Sequence, residues 1–235
     1  MKLDELELGD ILFYFNRKRS VLPASGDKPY AVTHVAIVSH VGTCPWVSHI
    51  TERGLVFNAI KIRDFEYRGL KYLVYRLRFD QDLHFAAEAS QLARMWCIAN
   101  ENVKLTEKKT SGNAASVDSF LPVVSVPHTF SYFKSHSAIF RSASFGKKAI
   151  DYVNKLEWYK VQNIIPPELR SKGGMYCSMF VVSCYQAVFG INQSADMLAV
   201  DARTVMPWTL YGYIDDKFSW KCLGEIDFVD KPLYL

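Results

Sequence analysis

The chain has 235 residues, 49% hydrophobic and 14% aromatic, enough to bury a full core, and a formal net charge of +4. Its basic residues alternate with acids except at Arg17 to Arg19 and at Lys108 and Lys109, so no long basic face is available for a nucleic acid. No apolar run approaches the roughly 18 residues of a membrane-spanning helix, and the opening MKLDELELGD carries acids where a secretory signal carries bases.

Residues 1 to 80 read as strands and turns. GDILFYF, AVTHVAIVSH, PWVSHIT, GLVFNAI and KYLVYRLRF are short runs rich in Val, Ile, Phe and Tyr, separated by Gly, Pro, Asp and basic residues. No helical pattern long enough for a parallel crossover lies between them, which predicts an antiparallel meander or small barrel. From Leu83 to Asn100 the apolar residues Phe85, Ala86, Ala89, Leu92, Ala93, Trp96 and Cys97 recur at helical spacing, which predicts an amphipathic helix. Residues 101 to 136 mix Lys, Ser, Thr, Gly and Pro. Helical spacing resumes in SASFGKKAIDYVNKLEWYK and is closed by Pro166 and Pro167, so residues 82–170 read as a helical and irregular insertion or lid. A further helix is expected from near Tyr176, set by Gly173 and Gly174 and ended by Gly190 and Asn192. A short helix led by Pro207 and a final strand complete a single α+β domain over residues 1–235.

Five cysteines, at 44, 97, 177, 184 and 222, show no paired spacing and read as mostly free thiols. That suits a cytoplasmic protein, or one exported unfolded by a specialised secretion system and refolded in another cytosol. Cys177 stands where a glycine-rich turn becomes an apolar helix, and unpaired backbone N–H groups there favour a thiolate. A nucleophile also needs a base, and six histidines are available, at 34, 40, 49, 84, 128 and 136. His34 interrupts the apolar strand VTHVAIV, where a buried imidazole needs a partner. His49, in the next run, is placed to meet it across a hairpin and to fix its orientation. Glu52 and Asn58 are the substitutes for His49 in that role. His40 lies roughly 20 Å from His34 along an extended strand, and Cys184 roughly 10 Å from Cys177 along a helix, beyond disulfide reach. Cys184 is expected in the core.

The order His34, His49, Cys177 resembles the circularly permuted branch of the NlpC-like, papain-fold cysteine hydrolases, which includes YiiX-type bacterial proteins and the lecithin:retinol acyltransferase relatives. The likeness lies in LELGDILFYF with Gly9, Asp10 and Ile11, in THVAIV and WVSHITERGLV, in the Cys-Ser helix start of MYCSMFV, and in PWTLYGY. It covers the first eighty residues and the last sixty. The resemblance implies an antiparallel sheet packed on the cysteine helix and an acyl-enzyme mechanism. Cys177 attacks an amide, ester or thioester carbonyl, His34 serves as base with a ring nitrogen about 3 to 4 Å from the thiol, and His49 orients His34. The expected substrates are peptide, lipid or other acyl compounds, and no cofactor is implied. Two other readings stay open. One is a catalytically idle papain-like binding module; the other is a small zinc-binding domain, since His34, His40, Cys44 and His49 fall within sixteen residues.

Overall fold

The apolar runs become strands of one sheet in the computed structural model, which describes residues 1–16, 32–42, 44–51, 54–60, 70–110 and 175–226. The strands are β1 (Ile11–Asn16), β2 (Val32–His40), β3 (Trp46–Thr51), β4 (Gly54–Ala59), β5 (Leu70–Leu77) and β6 (Trp220–Glu225). All pairings are antiparallel, in the order β4-β3-β2-β1-β5-β6. The expected meander holds from β1 to β4. β5 departs from it by returning to the free side of β1, so that β1 is central, and the carboxy-terminal β6 extends the sheet beyond β5.

Three α-helices are present among the described residues: α1 (Leu83–Thr110), α2 (Cys177–Met197) and α3 (Pro207–Asp215). Proline at the first position of α3 supplies a preset φ and lacks only an N–H that would find no helical partner. Two expected ends are corrected. α1 runs past Asn100 to Thr110, and α2 runs through Gly190 and Asn192 to Met197. A glycine inside a helix costs about 1 kcal/mol relative to alanine, and the burial of Val188 and Phe189 just before it outweighs that. The remainder of the expected 82–170 insertion, with Pro166, Pro167, Gly173 and Gly174, lies outside the described residues. None of the described helices is long and apolar enough to cross a membrane.

Both faces of the sheet are buried at its centre, whereas β6 exposes Lys221 and Cys222. One face, with Ile11, Phe13, Phe15, Val35, Ile37, Ile50 and Leu73, packs against the three helices in a large core. The opposite face, with Leu12, Tyr14, Ala36, Val38, Tyr72 and Val74, forms a smaller core covered in part by Leu3, Leu6, Ile60 and Ile226. The alternation of successive side chains therefore sends every residue of ILFYF into one core or the other.

Gly9 and Asp10 tie the start of β1 to four other elements. Gly9 has φ +86°, and a Cβ there would lie 2.4 Å from the carbonyl oxygen of Ala86 in α1, so the close approach requires glycine. Its N–H donates to the Val38 carbonyl of β2 at 2.9 Å, and the Tyr185 hydroxyl of α2 donates to its carbonyl. The buried Asp10 carboxylate accepts both forks of Arg76 on β5, at 2.7 and 2.8 Å.

Candidate active site

The amino terminus of α2 is pinned from behind. Ser178 Oγ donates to the Val205 carbonyl at 2.7 Å, and the Tyr176 hydroxyl donates to the Ala202 carbonyl at 3.2 Å. These bonds hold the first turn against the segment before α3. They present Cys177, the first residue of α2, to the middle of β2. There its sulfur accepts backbone N–H groups from Val35, from Ser178 and from its own peptide. Burial nevertheless dominates and pushes the thiol up to about 11, so the resting group is a protonated thiol. Cys177 is 4% exposed.

β2 and β3 pair only over Ile37↔Ser48, Val38↔Val47 and His40↔Trp46, with an irregularity between Val38 and His40. The half of β2 that carries His34 and Val35 lies beyond that ladder. In this opening His34 Nε2 and His49 Nδ1 stand 2.8 Å apart, and His49 Nε2 is 3.1 Å from Asn58 Oδ1 on β4. Register explains the third member: in the β3–β4 ladder Val47 pairs with Asn58 and His49 with Val56, so His49 and Asn58 are diagonal neighbours on one face. Tyr14 of β1, opposite His34 in the register, packs edge-on against His34 at 4.9 Å and nearly parallel to His49 at 6.3 Å. Burial lowers the pKa of both imidazoles. His49 falls to about 4 against the help of Asn58, and His34 is held well below its ordinary value, with His49 adding to the effect. Both rings are neutral at pH 7.

The thiol and the imidazole pair approach the opening from different faces of the sheet. Cys177 belongs to the helix-side core, whereas His34 packs on Tyr14, a member of the smaller core. The hydrogen-bond partners of the sulfur are backbone N–H groups, and neither imidazole is among them. Among the described residues one of the sulfur's main-chain partners is Val35, the residue that follows His34.

Of the other sequence candidates, Glu52, His128 and His136 lie outside the described residues. His40 is exposed at the far end of β2, Cys44 is exposed beyond it, and His84 is exposed at the start of α1, bonded to the Gln81 carbonyl. His34, His40, Cys44 and His49 therefore do not converge, and among the described residues no group of three or more His, Cys, Asp or Glu is placed to hold a metal ion. Cys184 is fully buried in the core, as its position on the apolar helix predicts. Sequence reasoning had no signal for the Val35 N–H, because a main-chain donor is revealed only by where the ladder stops. Family models, curated proteins and solved structures give no match to the chain.

Proposed function

We propose that the protein is a cysteine-dependent hydrolase or acyltransferase of papain-like type, with Cys177 as nucleophile, His34 as base and His49 as the group that orients His34. The observation that carries this reading is the relay Asn58–His49–His34, which ends beside the one strand residue whose N–H meets the helix-start thiol. A core histidine needs one polar partner; a buried and a half-buried imidazole in series, backed by an amide, set a proton's position. The order of the three residues along the chain, together with the likeness of the short segments quoted above, favours the circularly permuted NlpC-like branch.

The reaction starts from a neutral pair. As an acyl substrate enters, the sulfur leaves its backbone donors, its proton passes to His34, and the S–C bond forms at the carbonyl carbon. The N–H groups of Cys177 and Ser178, freed from the sulfur, are then available to the developing oxyanion. The proton on His34 goes to the leaving amine, alcohol or thiol as the C–N, C–O or C–S bond breaks. Water, or an acceptor nucleophile, then gives its proton to His34 as it bonds to the acyl carbon; the S–C bond breaks, the acyl product leaves, and the proton on His34 returns to the Cys177 sulfur.

A second reading, a catalytically idle binding module of the same fold, is favoured by one observation: the thiol is raised to about 11 and, among the described residues, is bonded to backbone. A panel of activated esters and peptidyl amides separates the two, combined with an acyl-mimicking electrophile. Wild-type protein is expected to turn over at least one class and to be labelled at Cys177 near neutral pH, with both lost in Cys177→Ala. Equal turnover by wild type and Cys177→Ala would end the nucleophile assignment, and absence of both labelling and turnover across the panel favours the idle module.

A further inference from the structure

The proton positions in the relay follow from its chemistry. A side-chain amide oxygen carries no proton, so the 3.1 Å contact with Asn58 Oδ1 requires the proton on His49 Nε2. A neutral imidazole has one N–H, which leaves His49 Nδ1 bare. The 2.8 Å contact then requires a proton on His34 Nε2, and His34 Nδ1 is left as a bare lone pair. Reversing the Asn58 amide reverses every step: Nδ2 would donate to His49 Nε2, His49 Nδ1 would donate to His34 Nε2, and His34 Nδ1 would hold a proton. In that arrangement the base has no lone pair to offer.

We infer that Asn58 is a positioning residue whose side-chain carbonyl fixes both imidazole tautomers, so that Nδ1 of His34 is left as the bare nitrogen open to a proton. This rests on the acyl-transfer reading for its catalytic meaning, while the tautomers themselves do not. Three features of the site support it. The amide and His49 are diagonal neighbours in a regular part of the β3–β4 ladder, so their spacing is set by backbone register. Tyr14 contacts both rings, edge-on to one and parallel to the other, which limits rotation of either. A neutral acceptor also suits the site: a carboxylate at this position would stabilise a charged His49 in front of the ring that has to take up a proton, whereas an amide orients the proton and leaves the pair neutral.

The test uses full-length protein labelled with ¹⁵N-histidine and long-range ¹H–¹⁵N correlation at pH 7.5. Both His34 and His49 are expected as neutral Nε2–H tautomers with bare Nδ1 nitrogens; a proton on His34 Nδ1 in the wild type overturns the inference without any variant being made. Asn58→Leu is expected to admit the second tautomer in both rings and to lower kcat by at least about tenfold with KM little changed, since only the base is misplaced. If Asn58→Leu folds and keeps both the Nε2–H tautomers and the wild-type kcat, Asn58 has no positioning role. Failure of the acyl-transfer reading is seen separately, as turnover that survives Cys177→Ala while the wild-type tautomers stand.

Discussion

Two neutral imidazoles, buried at His49 and half-buried at His34, make these the residues through which acid reaches the fold. Burial lowers both pKa values, so between about 4 and 6.5 the unfolded chain binds more protons than the folded one. Stability is therefore complete above the unfolded value of about 6.5 and is lost as the pH falls toward 4. For His49 alone the loss is on the order of 3 kcal/mol. Urea unfolding at pH 7.5 and pH 5 measures it, and His49→Gln is expected to flatten the slope by removing that share. In catalysis the two residues separate differently. His34→Ala removes the proton acceptor and is expected to abolish turnover, whereas His49→Ala leaves a misoriented base and a residual rate, which single-turnover kinetics resolve. Cys184→Ala is expected to leave kcat unchanged while costing about 1 kcal/mol or more as a core truncation, since its side chain is fully buried away from the site.

Among the elements, the junction of β1 with its neighbours is held by one buried charge. Arg76 grips both oxygens of Asp10, yet burial still lifts the Asp10 carboxyl above its ordinary range, so the pair does not recover the full cost of leaving water. Asp10→Ala leaves Arg76 with the Glu7 carboxylate and the Glu5 carbonyl but without its buried partner, and is expected to cost about 2 kcal/mol, whereas the double change Asp10→Ala with Arg76→Met is expected to cost less than the sum of the two single changes; denaturant midpoints compare them. The elements also mark how far the sequence could be read. Strands were legible because aromatic and β-branched runs lie between breakers, and the start of α3 because Pro207 suits only a first turn. The end of α2 was not, because Gly190 is a local signal and the packing of Val188 and Phe189 is not local. The place of β5 beside β1 depends on long-range pairing that no run of residues encodes. His34 and His49 were legible as polar interruptions of apolar strands. The face on which His34 lies was hidden, because with both faces buried the usual polar alternation that marks a solvent side is missing.

For the whole molecule, the two cores make β1 the last strand to open. It is flanked by β2 and β5 and buried on both sides, whereas β4 and β6 lie at the edges of the described sheet. Hydrogen exchange followed by mass spectrometry is expected to show the slowest amides in β1 and faster ones in β4 and β6, and equal protection across the sheet would contradict this ordering. Two-sided burial also bears on how the chain reaches this state. In a sheet with one wet face, a slip of one residue drives apolar groups into water and is rejected at once. Here a slip of β1 only exchanges Ile11, Phe13 and Phe15 with Leu12 and Tyr14, and both sets are at home in an apolar core. Mispaired chains are compact and short-lived only if something other than hydrophobicity disfavours them. The Asp10–Arg76 clasp supplies that penalty, since a slipped β1 carries its carboxylate away from the guanidinium. Its removal is therefore expected to lower the yield of refolding from denaturant through long-lived, misregistered collapsed chains, including under conditions where the native state, once reached, remains stable.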